Sequence, residues 1–259
     1  MNIVGIIPAR MASSRFPGKP MVKIMGLPMI GHVYHRSKMC SFLDEVFVAT
    51  CDKEIADYAE NIGARAIMTA NTHERASDRT AEALLKVEDQ TKKEIDYVIM
   101  IQGDEPMLIP EMFGDLINPI EVDEEFQVVN LMSKIKNDEE FQNPNNVKIV
   151  LDRNNNALYF SREPIPSKAK YSGEVPMWKQ LGFILFKRDI LLKYIKMEPT
   201  PLEIIESVDM NRLLEQGIKI RMAQTNYETY AVDTKTDLDH VEELMKNDPL
   251  ISKYLALVK

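Results

Sequence analysis

The sequence predicts an α/β fold, a Rossmann-like and mostly parallel sheet flanked by helices, with a β-rich excursion over about residues 125–186. Three observations predict it. Apolar strand-like runs alternate with runs of helical spacing, the connections between them are short, and the middle of the chain changes to consecutive strands with few helices between. No linker, repeat or low-complexity segment divides residues 1–259, so one domain is expected.

The elements follow in order. "IVGII" is a near-continuous apolar run, as expected of a strand buried on both faces. "MIGHVYHRSKM" has helical spacing through Met29, Ile30, Val33 and Tyr34, and "EVFVAT" is β-branched and aromatic. "KEIADYAENIG" reads as a helix closed by Gly63, and "RAIMT" as a short strand. "SDRTAEALLKV" is a helix with Ser77 as its expected N-cap. "DYVIMIQGDEP" is a buried strand ending in a polar turn, and "PEMFGDLINPI" begins a short helix with Pro110 near its first turn. "FQVVNLMSKI", "NNVKIVLD", "NALYFSR" and "KQLGFILFKR" are strands, the middle two joined as a hairpin around an Asn-rich turn. "DILLKYIKM" and "TPLEIIESVDMNRLLEQG" read as two helices, and "IKIRMAQ" as a strand. "TKTDLDHVEELMKN" is a terminal helix with Leu238, Val241, Leu244 and Met245 on one face.

Composition narrows the function. The chain is 45% hydrophobic and 28% charged, with a formal net charge of -8 and a pI near 5.2. That balance argues against nucleic acid as a partner. No stretch reaches the ~20 apolar residues of a membrane helix, and no secretory signal is visible, so a cytoplasmic protein is expected. Cys40 and Cys51 make neither a disulfide framework nor a zinc site. His32 and His35, in "GHVYH", lie one helical turn apart but read as two polar residues of a helix rather than as a metal pair.

The chemistry begins in the first loop. After "IVGII" comes "PARMASSRFPGKP", with Pro8, Ala9 and three cations, Arg10, Arg15 and Lys19. A surface loop is the bland reading. A Walker loop is excluded because Gly18-Lys19 is followed by Pro20, with no glycine five residues before Gly18. A dinucleotide loop is excluded because no G-x-G-x-x-G follows the strand. A nucleotidyltransferase loop fits. Departing pyrophosphate gains charge in the transition state, and fixed cations beside it assist. Arginine offers a fork to phosphate oxygens and lysine a point charge. Pro17 and Pro20 hold the Gly18-Lys19 turn stiff.

A polyphosphate calls for Mg²⁺, which takes one or two carboxylates beside phosphates and waters. "QGDEP" supplies Asp104 at a strand's carboxyl end, and "YAVDTKTD" supplies Asp233 just after another strand-like run. Ligands of parallel sheets bind beyond the carboxyl ends of strands, so the opening loop and the "QGDEP" turn are expected to share one cleft. Thr236, with Asp239 three residues on, is the expected cap of the last helix, which leaves Asp233 for the metal.

Nine segments then carry a likeness: "IIPARMASSRFPGKP", "PMIGHVY", "VFVATCD", "IQGDEPM", "NPNNVKIVLD", "ALYFSREPIP", "QLGFILFKRDIL", "RLLEQGIKI" and "AVDTKTDLDHV". In this order they resemble the 3-deoxy-manno-octulosonate cytidylyltransferase (CMP-KDO synthetase) family, from residue 3 to about residue 245. The acylneuraminate cytidylyltransferases are similar at greater distance. The resemblance implies a homodimer that joins through its β-rich excursion. It also implies attack of the anomeric hydroxyl of an acidic sugar on the α-phosphate of CTP, with Mg²⁺ helping pyrophosphate to leave. The product would serve lipopolysaccharide or capsule. The resemblance places Arg10, Arg15 and Lys19 on the triphosphate and Asp104 and Asp233 on Mg²⁺. It places Gln102 near nucleotide and sugar, Arg79 beside the cytosine, and Arg162 near the sugar acid.

The sugar-side motifs depart from the family. Its usual H-L-G-I-Y is Gln180-Leu181-Gly182-Phe183-Ile184 here, and its L-E-Q-L-R is Val208-Asp209-Met210-Asn211-Arg212. A hydroxyl is lost at Ile184 and an amide at Met210, while Gln180, Asp209 and Arg212 keep polar groups for the substrate. A site built on hydrogen bonds discriminates strongly when one is missing. The departures therefore predict that KDO is a poor acceptor and that another acid (8-amino-KDO, a nonulosonate or a phosphonate) is better. A GT-A type glycosyltransferase is the further alternative, against which the "RFPGKP" loop speaks. A non-catalytic nucleotide-binding protein is opposed by the retained cations and carboxylates.

Overall fold

The computed structural model describes residues 1–12, 16–123 and 125–255. The chain forms two compact units, residues 1–113 with 228–259, and residues 114–227.

In the first unit, β1 (Ile3–Ala9) is buried along its whole length. It leads through a 3-10 turn at Lys19–Met21 and a small hairpin, β2 (Lys23–Ile24) with β3 (Leu27–Pro28), to α1 (Met29–Lys38). There follow β4 (Glu45–Thr50), α2 (Lys53–Asn61), β5 (Arg65–Met68), α3 (Ala76–Thr91) and β6 (Tyr97–Ile101). β1 pairs in parallel with β6 on one side and β4 on the other, and β4 pairs in parallel with β5. Ile6 and Ile7 on β1 and Ile99 and Ile101 on β6 are wholly buried. Each such side chain contributes about 1.5–3 kcal/mol by leaving water, which is why these runs carry no polar alternation. α2 ends as expected, with Gly63 in the left-handed region at φ 79. α3 does not begin at Ser77. Its N-cap is Arg75, and Ser77 is buried inside the first turn.

α4 (Met112–Val122) begins at the end of the first unit, just after Pro110, continues into the second, and carries Pro119 in its interior. β7 (Val128–Lys134), β8 (Lys148–Leu151), β9 (Ala157–Ser161) and β10 (Trp178–Lys187) supply the expected strands, with the short α5 (Asp138–Gln142) between β7 and β8. β8 and β9 form the hairpin, with Asn155 left-handed at φ 58 in its turn. β10 runs antiparallel to β7 and to β8. α6 (Arg188–Tyr194) follows. The next segment is not one helix but two, α7 (Pro201–Glu206) and α8 (Met210–Glu215), broken at Ser207 with φ 52. β11 (Arg221–Gln224) closes the unit, parallel to β7.

The chain then returns to the first unit as α9 (Lys235–Met245) and α10 (Ile251–Leu255). Leu238, Val241 and Met245 of α9 pack with Ile24, Met29 and Val232, while Leu244 is only half-buried. The cap lies two residues before the expected one. Thr234 accepts from the Asp237 N–H at 3.2 Å, and Asp237 accepts from the Thr234 N–H at 2.8 Å. Among the described residues no helix is long and apolar enough to cross a membrane.

Candidate active site

Because β1 and β6 are parallel neighbours, their carboxyl ends bring Pro8-Ala9-Arg10 beside Gln102-Gly103-Asp104. Gly103 permits the approach, since a Cβ there would stand 3.3 Å from the Pro8 carbonyl oxygen. The opening loop is closed by a backbone bond from the Gly18 N–H to the Met11 carbonyl at 3.0 Å, and Gly18 takes the left-handed φ of 74 that puts Lys19 at the start of its turn. Asp52, after β4, accepts from the Met11 N–H at 2.7 Å and ties the loop to the sheet. Arg15 lies outside the described residues.

Lys19 reaches both carboxylates expected to hold a metal. Its Nζ is 2.6 Å from Asp104 Oδ2 and 3.0 Å from Asp233 Oδ1. Burial alone would lower the Lys19 pKa, but the two carboxylates more than offset it and raise the group above its ordinary value. The Val232 N–H donates to the Asp104 carbonyl at 2.9 Å, which binds the two acidic segments together through the backbone.

A cleft of about 290 Å³ opens at this edge of the sheet. It is lined by Pro8, Ala9, Arg10, Lys19, Arg79, Gln102 and Asp104, so six residues expected at the nucleotide share one wall with a carboxylate expected at the metal. Arg79 is 2% exposed; its Nη1 donates to Thr69 Oγ1 and, at 3.4 Å, to the Ala70 carbonyl, while Nη2 is buried with no partner among the described residues. An unpartnered guanidinium nitrogen on a cleft wall fits an acceptor brought by a ligand. Residues 73–76 also line the cleft and were missed by the sequence reading. The His73 carbonyl accepts from Arg10 Nη1 at 3.2 Å, and the His73 ring is held by Glu82. Glu82 also accepts from the Ala70 N–H at 2.9 Å and pairs with Lys86 at 2.7 Å. Burial would raise the Glu82 pKa, but these donors together hold it down at about 2. The signal available in the sequence was "HERASDR", cations gathered at a helix start.

The sugar-side candidates belong to the second unit, and there their side chains meet partners of the chain itself. Asn130, wholly buried, fills the irregularity between Gln180 and Ile184 on β10. Its Nδ2 donates to the Leu181 and Phe183 carbonyls, both at 2.9 Å, and its Oδ1 accepts from Gln180 Nε2 at 2.7 Å. Arg162 donates to three backbone carbonyls, of Glu206 at 2.8 Å, Pro144 at 2.9 Å and Ser207 at 3.1 Å. Arg212, 2% exposed, forks onto Glu203 with two bonds of 2.6 Å. Asp209 stands at the N-terminal end of α8 without a side-chain cap bond, and its carbonyl accepts from Tyr194 Oη at 3.1 Å. Ile184 and Met210 are 4% and 1% exposed.

His32 is engaged from both sides. The Ile24 carbonyl lies 2.8 Å from Nε2, so Nε2 donates, and Nδ1 accepts from Tyr254 Oη at 2.7 Å. His35 stacks on the Tyr254 ring. Both histidines lie on α1, and His32 is wholly buried.

Known proteins are similar to this chain. A cytidylyltransferase family model matches residues 4–220. A 3-deoxy-manno-octulosonate cytidylyltransferase of Geobacter metallireducens is 40% identical over 253 residues, 94% of this chain and 97% of that protein. One of Fusobacterium nucleatum is 42% identical over 248 residues, 96% of this chain and 98% of that protein. A CMP:2-keto-3-deoxy-manno-octonic acid synthetase, solved in complex with CTP, superposes with a TM-score of 0.87 at 37% identity, covering 95% of this chain and 99% of that one. A 4-diphosphocytidyl-2C-methyl-D-erythritol synthase of Anaerococcus prevotii, at 15% identity and a TM-score of 0.63, shares the fold, covering 95% of this chain and 96% of that one. With a cation-lined cleft at the ends of β1 and β6 and a match that spans both units, the chain belongs to the cytidylyltransferase family.

Proposed function

We propose that this chain transfers CMP from CTP to the anomeric hydroxyl of KDO and releases pyrophosphate. The observation that carries the reading is the convergence of Lys19, Asp104 and Asp233 at the cleft, in a chain about 40% identical to curated relatives of that name. In the reaction the anomeric oxygen forms a bond to the α-phosphorus and loses its proton. The bond from that phosphorus to the bridging oxygen breaks, and pyrophosphate leaves with the electron pair. Arg10 and Lys19 stand where the β- and γ-phosphates gain charge. Pro8, Ala9, Arg79 and Gln102 form the wall against the nucleoside.

The two carboxylates suit Mg²⁺, because they already converge on a single cation, the Lys19 ammonium. When bound, Mg²⁺ would neutralise polyphosphate charge as the leaving group forms. The reading places the enzyme in the cytoplasm, in lipopolysaccharide biosynthesis, as a homodimer. Exposed Leu158, Ile204 and Ile205 of the second unit, at 60%, 66% and 76%, support association through that unit.

The departures at Gln180, Ile184, Asp209 and Met210 favour a second reading, the same transfer to another acid. Against it, Ile184 and Met210 are buried, so their apolar side chains fill packed positions instead of leaving a polar pocket short of partners. The test is pyrophosphate release from CTP with KDO, 8-amino-KDO, nonulosonates and small phosphonates. Highest kcat/KM with KDO is the expected result. A higher value for another acid overturns the KDO assignment, and release with none of them overturns the activity.

A further inference from the structure

The carboxylates proposed to hold the metal already hold a cation of the chain. Lys19 Nζ lies 2.6 Å from Asp104 Oδ2 and 3.0 Å from Asp233 Oδ1. The side chain of Lys19 is 13% exposed, and those of the carboxylates 25% and 22%. The three residues are brought together from sequence separations of 85 and 214, and each is fixed by its own backbone. Lys19 stands after the left-handed Gly18, whose N–H is bonded to the Met11 carbonyl. The Asp104 carbonyl accepts from the Val232 N–H, and the Asp233 N–H donates to Asp237 Oδ2 at 3.1 Å, just before α9. An ammonium so placed is part of the framework, unlike a mobile surface lysine.

A magnesium ion must come within about 2.1 Å of its carboxylate oxygens. With the ammonium at 2.6 Å and 3.0 Å from the same two side chains, the positive charges would stand only a few ångströms apart. In this partly buried place their repulsion is poorly screened. Metal and ammonium therefore exclude each other unless a new anion draws the lysine off. The polyphosphate of the nucleotide is such an anion, and Lys19 lines the cleft that takes it.

We propose that Lys19 is a built-in competitor of the divalent cation: in the nucleotide-free protein it occupies the cation position between Asp104 and Asp233, and it yields that position when a nucleotide polyphosphate arrives. Two consequences follow. Metal alone binds weakly, and nucleotide and metal bind with positive coupling, because each removes an obstacle to the other. The charge of the two carboxylates is thus partly offset before substrate arrives, and the position is not occupied by free metal. The inference rests on the reading of Asp104 and Asp233 as metal carboxylates.

The test is Mn²⁺ binding to the full chain, followed by the EPR signal of free Mn²⁺, with folding of every variant checked by circular dichroism. Without nucleotide, Lys19→Met should bind Mn²⁺ at least about tenfold more tightly than wild type. Lys19→Arg keeps the charge and should bind as weakly as wild type. Lys19→Gln serves in the same comparison if the methionine variant does not fold. Equal or weaker Mn²⁺ binding by the neutral variants overturns the proposal. A parallel titration with a non-hydrolysable CTP analogue separates the two levels. There wild type should take up Mn²⁺ that Asp104→Asn does not. Uptake unchanged in Asp104→Asn overturns the metal assignment and the competition with it. Uptake lost in Asp104→Asn, with no gain in Lys19→Met, overturns the competition alone.

Discussion

Replacing Arg212 by methionine should unfold the second unit more readily without changing what the enzyme recognises. Arg212 and Glu203 are 2% and 3% exposed and meet through two parallel bonds of 2.6 Å. The guanidinium also stacks over the Tyr194 ring at 4.7 Å and donates to the Met197 carbonyl at 3.1 Å. Removing one partner leaves the other charge buried and unpaired, which costs about 3–5 kcal/mol. In a chain of this size each kcal/mol moves Tm by roughly 2–4 °C, so the fall should be on the order of 10 °C. The double variant Arg212→Met with Glu203→Leu should regain most of the loss, because a well-packed apolar pair replaces a buried ion pair at little net cost. Recovery stays incomplete. Glu203 also accepts from the Thr200 N–H at 3.3 Å, and the Met197 carbonyl loses its donor. Each such orphaned group costs about 1 kcal/mol or more.

The assay is a thermal melt of wild type and both variants, with kcat/KM for KDO measured well below the lowest Tm. Lowered Tm, recovery in the double variant and an unchanged acceptor KM are expected. The family likeness suggested instead that Arg212 serves the substrate. A single variant that melts within about 2 °C of wild type but has a tenfold higher acceptor KM would refute the structural reasoning.

Other expectations are as direct. Asp104→Asn and Asp233→Asn should each lower kcat by ~100-fold or more with the fold intact, and near-wild-type turnover in either would remove the metal assignment. Burial first, and the nearby Arg36 charge as a further cause, push the His32 pKa down to about 4. The unfolded chain therefore binds a proton there between about pH 6.5 and 4 that the native protein does not, so stability falls as pH falls through that window, by about 3 kcal/mol at most. Urea midpoints at pH 7, 6 and 5 should show this slope in wild type and a flatter one in His32→Gln; equal slopes would refute it. Light scattering at micromolar concentration should show a dimer, and a monomer would count against association through the second unit.

The sheet of the first unit was legible because burial on both faces leaves an unmistakable mark. "IVGII", "EVFVAT" and "YVIMI" admit no polar face, and all three are strands of one parallel sheet. Helix ends were less legible because several polar residues compete to cap. Thr234 and Thr236 both precede an aspartate by three, and Thr234 prevails in the fold. The break at Ser207 was hidden, since helical spacing runs on through "ESVDM" and a left-handed serine leaves no pattern. Asp104 could be placed from the sequence because it follows a strand, and strand ends gather at one edge of a parallel sheet. The strand expected before Asp233 does not form; the Val232 N–H to Asp104 carbonyl bond brings Asp233 there instead. The pairing of Arg212 with Glu203 could not be read from the sequence. They lie nine residues apart on two short helices, a spacing that no single helix brings face to face. A conserved-looking arginine in a motif thus reads as a ligand contact until its partner is seen.

The charge of the opening loop now has a physical account. A net charge of -8 speaks of the whole surface, whereas a polyphosphate responds to the field inside one cleft. That cleft collects Arg10, Lys19, Arg75 and Arg79 against Glu74 and Asp104. Within it the cations are not equivalent. Arg79 is anchored through one nitrogen and leaves another without a partner among the described residues, Arg10 leans on the His73 carbonyl, and Lys19 is paired with two carboxylates. Unpaired cations alone would hold any phosphate that entered. Placing Lys19 between Asp104 and Asp233 makes its charge available only to a ligand able to draw it from both acids, which a bare monophosphate does less well than a triphosphate accompanied by its metal. On the competition proposed above, the contact that partly offsets the two carboxylates also contributes to the preference for the substrate whose pyrophosphate must leave.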